Sequence, residues 1–141
     1  MYLFNRSICI NVSLIGEKTV AVNGVFLDSQ HELCLTLEAD FESYTITSAE
    51  GQLRRAPHTD CGYTQERIKD LVGVNLNRNV RKQVQAAVGL ELGCTHLTDL
   101  TLECVKGLLQ AKYQLMHLTL QPAEMKLQVE QQLKGNCLHY K

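Results

Sequence analysis

The hydrophobic residues of this chain change their spacing once, and that change constrains the fold more than any other feature of the sequence. Before residue 50, apolar residues alternate with polar ones at every second position, most clearly from Leu33 to Ala39. This period is typical of strands that bury one face. After residue 63, apolar residues recur at steps of three and four, which is the spacing of amphipathic helices. Strands followed by helices predict segregated layers, and therefore an α+β fold.

The first part of the chain predicts an antiparallel β-meander of three to four strands, with helices packed on one face. Asn23-Gly24 is interpreted as a bulge or turn, and residues 50–63 as irregular. The strands are expected near 8–14, 19–27, 33–39 and 44–48. The helices are expected from Thr64 to Val72, from Asn77 or Asn79 to Val88, from Cys94 to Leu118 and from Pro122 to Leu133, with a short strand from Cys137 to Tyr140.

The size and charge of the chain exclude several classes of protein. A length of 141 residues predicts a single domain over 1–141, with the sheet in about 1–50 and the helical part in about 64–134. The net charge is −1, without the clustered basic surface of a nucleic-acid-binding protein. No segment approaches the ~20 apolar residues that span a bilayer, and the N-terminal part lacks a secretion signal. We therefore expect a cytoplasmic protein that binds neither nucleic acid nor a membrane.

The chain contains six cysteines, which are Cys9, Cys34, Cys61, Cys94, Cys104 and Cys137. A disulfide framework is not expected in a reducing cytoplasm. The chain has no CxxC pair, so the motifs of a zinc ribbon and of a thioredoxin-like site are both absent. Cys9, Cys34 and Cys104 lie in apolar patterns and are interpreted as small hydrophobic residues in or beside the core. The other three remain candidates for thiol chemistry or metal binding.

Cys94 is the strongest of these candidates, because it begins the longest predicted helix in the segment Gly93-Cys94-Thr95-His96-Leu97. The free N–H groups and the positive dipole end of a helix N-terminus favour a thiolate, which attacks electrophiles and binds metals. His96 would join Cys94 as a co-ligand or base only if Cys94 lies in the cap, since residues two apart diverge within a helix. The alternative is a buried cysteine with a surface histidine.

Other candidate residues are scattered along the chain. Cys61 lies between Asp60 and Gly62, in a loop that suits either a ligand or an ordinary turn. His31 opens the clearest strand, and Cys137 and His139 would share one face of a strand and could hold one ion or simply pack. A phosphate-binding loop, a GxSxG elbow and an HExxH helix are all absent, so ordinary nucleotide-binding and hydrolase functions are disfavoured.

From about His31 to Leu115 the sequence resembles the bacterial family called domain of unknown function 2889. Members have a His-Asp pair that opens a strand, a Pro…Cys segment, a Leu-x-Gly turn and Gly-Cys-Thr-His-Leu at a helix start. The matching residues are His31-Glu32, Pro57 with Cys61, Leu71-Val72-Gly73 and Gly93 to Leu97. Glu32 replaces the aspartate of the family and keeps its charge. The family label implies no activity.

The order of elements is also similar to the iron–sulfur scaffold proteins of the NifU/IscU type. Those proteins place three cluster-binding cysteines at a strand start, in a Cys-Gly loop and at the N-terminus of a long helix. Here the matching positions hold His31, Cys61 and Cys94. The scaffold proteins have a histidine before the last cysteine, whereas this chain has Gly93 there and His96 after the cysteine. The resemblance implies a metal site of His31, Cys61, Cys94 and His96, which suits zinc or an iron–sulfur cluster. A protein partner in metal or sulfur transfer is a further expectation, but transfer to the usual partners of the scaffold does not follow, because it depends on surface motifs that this sequence does not match.

Three hypotheses for the function follow. The favoured one is a small metal-binding protein that is not an enzyme. The second is a thiol-based enzyme or a sulfur or acyl carrier, with Cys94 as nucleophile and His96 or His31 as base. The third is a structural or interaction module without bound metal. The sequence leaves open the metal, any substrate, the physiological partner, the oligomeric state and the role of Cys137 and His139.

Overall fold

A computed structural model describes all 141 residues and contains two compact units, 1–108 and 109–141. The first unit contains one four-stranded sheet in which every neighbouring pair of strands is antiparallel. Its strands, in sheet order, are β1 (Arg6–Leu14), β2 (Thr19–Asp28), β3 (Glu32–Asp40) and β4 (Thr45–Arg55). The predicted α+β fold with an antiparallel meander is therefore confirmed.

Helical elements make up most of the chain after β4. They are a 3₁₀ segment (Thr59–Leu71), α1 (Val80–Val88), a short 3₁₀ turn (Leu90–Leu92), α2 (Thr95–Thr119) and α3 (Pro122–Leu133). In the second unit, Cys137 and Tyr140 form one isolated bridge in place of the predicted strand. No helix combines the length and the apolar character that a membrane crossing requires.

The core of the first unit lies on one face of the sheet. Alternate side chains of β2 and β3 are fully buried there, while the residues between them are more exposed. The helix α2 supplies the opposing layer, and each of its large buried side chains contributes about 1.5–3 kcal/mol by leaving water. The buried residues of this sheet face and of α2 include Val22, Phe26, Leu33, Leu35, Leu37, Leu97, Leu100, Cys104 and Leu108.

Gly24 does not mark the bulge or turn that the sequence predicts, because it continues the regular pairing of β2. A Cβ atom on Gly24 would lie 2.5 Å from Cys104 Sγ and 2.9 Å from Leu100 Cδ1. Gly107 lies on the helix side of the same contact, and a Cβ atom there would lie 2.7 Å from Ile10 Cγ2. Both glycines therefore allow α2 to pack closely on the sheet.

The prediction that residues 50–63 are irregular is wrong at both ends. Strand β4 continues to Arg55, and the following 3₁₀ segment begins at Thr59 instead of Thr64. Gly51 lies within the strand and pairs with Leu35. A Cβ atom at this position would lie 2.7 Å from the Cys34 carbonyl oxygen and 2.8 Å from Ile68 Cδ1. The glycine thus provides room for close packing and keeps its place in the ladder opposite β3.

Candidate functional site

The four side chains predicted as metal ligands, His31, Cys61, Cys94 and His96, line one pocket of about 680 Å³ in the first unit. They come from separate elements: His31 immediately precedes β3, Cys61 lies in the 3₁₀ segment, and Cys94 and His96 lie at the start of α2. Folding therefore brings together residues that are up to 65 positions apart. Whether they bind a metal stays a prediction.

Asp28 is the buried acid of the site. Its side chain is only 2% exposed, and its Oδ1 atom accepts hydrogen bonds from the backbone N–H groups of Gln30 (2.8 Å) and His31 (2.6 Å). Burial on its own would raise the pKa of Asp28. These two backbone N–H groups and the hydrogen bond and charge of the His31 ring outweigh that effect and lower the pKa to about 2. Asp28 is therefore a carboxylate at neutral pH.

The carboxylate of Asp28 fixes the His31 ring. The Nδ1 atom of His31 lies 3.0 Å from Asp28 Oδ1 and 3.2 Å from Oδ2. Because an ionised carboxylate only accepts hydrogen bonds, Nδ1 must carry the proton. In the neutral imidazole this leaves a lone pair on Nε2, which is the arrangement of a histidine ligand oriented by a carboxylate.

The ring of His96 stacks on the ring of His31, with centroids 3.8 Å apart and an interplanar angle of 29°. Its Nε2 atom is 3.8 Å from Asp28 Oδ2. Ligand atoms of Asp28, His31 and His96 all lie within 4.8 Å of one another. Burial, followed by the charge of His31, lowers the pKa of His96, so this imidazole is neutral at neutral pH.

Cys94 lies in the cap of α2, the condition under which it can approach His96. The helix begins at Thr95, and the carbonyl of Cys94 accepts the first helical hydrogen bond, from the N–H of Thr98 at 2.9 Å. The Cys94 Sγ atom is 3.8 Å from His96 Nδ1, and both side chains are half-buried. The thiol and the Nδ1 edge of the His96 ring therefore border the same pocket.

Other candidate residues have separate surroundings. Glu32 pairs with Arg54 at 3.5 Å and does not line the pocket, so the acid of the site is Asp28. Cys61 and Cys94 line the pocket, but neither belongs to the group that converges within 4.8 Å. In the second unit Cys137 is exposed, and the ring of His139 packs edge-on against Tyr140.

Arg55 positions the turn that carries Asp28 and His31. Its guanidinium donates hydrogen bonds to the carbonyl oxygens of Ser29 (2.8 Å), Asp28 (2.8 Å) and His31 (3.3 Å). Since these bonds involve only backbone acceptors of the turn, they restrict its conformation without using the pocket-facing side chains. Arg55 itself does not line the pocket.

Sequence reasoning missed both Asp28 and Arg55. A signal for Asp28 was available, because the alternation in β2 gives Asp28 the same phase as Val22 and Phe26, on the buried face. A carboxylate in a buried phase needs partners, and His31 follows three residues later. No comparable signal exists for Arg55, because its acceptors are backbone carbonyls in the turn between β2 and β3.

Comparison with known proteins identifies a family and no function. A family model described as protein of unknown function (DUF2889) matches residues 4–110, which include the whole sheet and every residue of the site. No protein of curated function and no solved structure matches the chain. The likeness to NifU/IscU-type scaffolds therefore rests only on the residues that suggested it. Because the family model covers well over half of the chain, this protein belongs to the family of proteins of unknown function designated DUF2889.

Proposed function

We propose that this protein binds a divalent transition metal, with zinc as the first choice, through His31, His96 and Cys94. The observation that carries the proposal is that His31, His96 and Cys94 line one pocket, with the His31 and His96 rings in contact and Cys94 Sγ 3.8 Å from His96 Nδ1. Tetrahedral zinc with ordinary bond lengths separates a sulfur and a nitrogen ligand by about 3.6 Å. The spacing of Cys94 and His96 is thus close to that of a ligand pair.

The roles of the remaining residues follow from their contacts. Asp28 is occupied by two backbone N–H groups and the His31 ring, so it acts as the group that orients a ligand. Cys61 lines the same pocket and would serve as the fourth protein ligand if the site held an iron–sulfur cluster instead of a single metal ion. A set of two imidazoles and up to two thiolates suits zinc, copper or iron better than magnesium or calcium.

The charges around the pocket also favour a cation. Asp60 and Glu91 line it, and Asp28 Oδ2 lies 3.8 Å from His96 Nε2, whereas no lysine or arginine belongs to the lining. Since a metal ligand must have a free lone pair, the low pKa of His96 reduces competition from protons at neutral pH.

Anaerobic purification followed by metal analysis, a visible spectrum and cobalt titration tests this proposal. We expect about one metal ion per chain, and a thiolate-to-cobalt charge-transfer band that disappears in Cys94→Ser. His31→Ala and His96→Ala should each weaken cobalt binding by about 100-fold or more, because each loses a ligand. An iron–sulfur cluster would instead give visible absorption before any titration.

Cys9→Ser is the matched control, because Cys9 is an exposed cysteine on β1 that does not line the pocket. Its cobalt spectrum and affinity should equal those of the unmodified protein. If the unmodified protein binds neither cobalt nor zinc, and the three pocket variants are as stable as the control, the protein does not bind metal at this site.

The contact between Cys94 and His96 also favours a second candidate, a thiol nucleophile. A neutral His96 can take the thiol proton on Nδ1, 3.8 Å away, and leave a thiolate facing the pocket. Such a pair would serve an enzyme or a sulfur or acyl carrier. The two candidates differ in whether the thiolate is used by a metal or by an electrophile.

Alkylation of the metal-free protein measures this candidate directly. With iodoacetamide at neutral pH, we expect Cys94 to react much faster than Cys104, because burial, together with Glu103, raises the pKa of Cys104 to about 12. His96→Ala should slow the reaction at Cys94 and leave Cys104 unchanged. Slow modification of both cysteines at similar rates would contradict the candidate; mass spectrometry of the digested protein distinguishes the sites.

A further inference from the structure

We infer that the pocket beside the metal ligands accepts a neutral organic molecule with an aromatic or other apolar body, which supplies a further ligand to the bound metal. This inference rests on the proposed metal site and adds the class of molecule that the site would take. Four features of the pocket carry it: its volume, the accessibility of the ligands, its apolar side chains and its charge.

The volume of the pocket far exceeds the need of a metal ion. The cavity measures about 680 Å³, whereas one water molecule occupies roughly 30 Å³ in the liquid. Pockets that hold small organic molecules measure about 300–1,000 Å³. A metal held by His31, His96 and Cys94 would occupy one part of the wall and leave most of this space free.

The ligands remain accessible from the pocket. Cys94 and His96, two of the three proposed ligands, are half-buried and line it, so a metal bound there would face the open volume. Structural zinc sites are closed by four protein ligands, whereas sites that act on other molecules keep a coordination position open. The accessible arrangement here matches the open kind.

Large apolar side chains line the same pocket. Tyr63 and Leu92 are 76% and 72% exposed, and Pro57 lies with them in the lining. A single exposed apolar side chain is common on a protein surface and needs no explanation. Here, however, three of them border the pocket that contains the candidate ligands. They offer apolar area that an aromatic or aliphatic group would cover on binding.

The charge of the lining selects against anions. Asp60 and Glu91 are the charged residues of the lining besides its histidines, and it provides no ammonium or guanidinium group to pair with a phosphate or carboxylate. A molecule that donates a lone pair to the metal must carry that donor unprotonated. A neutral nitrogen or sulfur donor on an apolar body meets both conditions.

Cobalt-loaded protein at pH 8 provides the test, with three probes followed through the cobalt d–d spectrum. The probes are 4-phenylimidazole, imidazole and phenylphosphonate, which share a donor or a ring but differ in apolar body and charge. We expect 4-phenylimidazole to bind about tenfold more tightly than imidazole, and phenylphosphonate to bind more weakly than either.

Three variants locate the effect. Tyr63→Ala and Leu92→Ala should reduce the advantage of 4-phenylimidazole and leave the affinity for imidazole unchanged. Leu90→Ala is the matched control, because Leu90 lies in the same short 3₁₀ turn as Leu92 and is similarly exposed, at 76% against 72%, but does not line this pocket. It should keep the full advantage.

The possible failures are distinguishable. If the cobalt spectrum is normal, three results would overturn this inference alone. They are equal affinities for the two imidazoles, tightest binding of phenylphosphonate, and no difference between Leu92→Ala and Leu90→Ala. Absence of a cobalt spectrum before any probe is added would overturn the metal site and the inference together.

Discussion

Replacing Gly93 by alanine is expected to lower the free energy of unfolding by more than about 3 kcal/mol. The new Cβ would overlap the backbone carbonyl oxygens of Val88 and Gly89. Both are backbone atoms, which cannot move aside by changing a rotamer. Since the φ angle of Gly93 is −127°, the cost comes from this contact and not from a left-handed conformation. The connection between α1 and α2 would have to shift, and Cys94 with it.

Gly62→Ala is the control for this experiment, because Gly62 also flanks a cysteine of the pocket but a Cβ there meets nothing within 4 Å. Its free energy of unfolding in urea should stay within about 0.5 kcal/mol of the unmodified protein. Cobalt binding should likewise be unchanged in Gly62→Ala and impaired in Gly93→Ala. Equal stability of the two variants would mean that the close approach of residues 88 and 93 does not exist in the folded protein.

The fold was predictable because its strongest signals are local. The alternation from Leu33 to Ala39 and the helical stripe that includes Leu100 and Cys104 reflect faces that the folded chain buries. Gly24 and Gly51 were misinterpreted for a physical reason. A glycine in a sequence is compatible with a turn or with close packing, and the choice depends on atoms far along the chain, here in α2 and the 3₁₀ segment.

The candidate site was predictable only in part. Gly93 to Leu97 is a continuous segment, and its position at a helix start follows from the change of period. The approach of His31 and Cys61 to Cys94 depends on tertiary packing, and only the resemblance to known families suggested it. Arg55 acts through backbone carbonyls, which every residue has, so no pattern of side chains reveals its role.

Asp28→Asn is expected to lower the free energy of unfolding by about 2–4 kcal/mol at neutral pH, because it replaces a buried charged acceptor with an amide. The asparagine oxygen can still accept the backbone N–H groups of Gln30 and His31. That oxygen also remains 3.0 Å from His31 Nδ1, but the NH₂ group takes the place of Oδ2, 3.2 Å from the same ring nitrogen, and brings a second donor toward the Nδ1 proton. If His31 changes tautomer to relieve this conflict, the proton moves to Nε2 and blocks the lone pair that would bind metal. We therefore also expect cobalt affinity to fall by about 10- to 100-fold.

The pH dependence of this loss identifies the carboxylate as its cause. The pKa of Asp28 falls from 3.8 to about 2 on folding, so its stabilisation is complete above pH 3.8 and is lost as the pH falls through 2. The difference in stability between the unmodified protein and Asp28→Asn, followed by urea unfolding, should narrow over that range. A difference that stays constant from pH 5 to 2 would contradict the ionised, hydrogen-bonded state of Asp28.

The variant Asp40→Asn distinguishes the contribution of the buried His31 contact from the contribution of the turn hydrogen bonds. Asp40 ends β3 as Asp28 ends β2, and its carboxylate accepts the backbone N–H groups of Glu42 (3.0 Å) and Ser43 (2.9 Å). Its hydrogen bonds are exposed, and no histidine is among its hydrogen-bond partners. The Asp40 variant should therefore lose much less stability and keep the cobalt affinity of the unmodified protein. Equal losses in the two variants would assign the effect to turn geometry, leaving Asp28 without a special role in orienting His31.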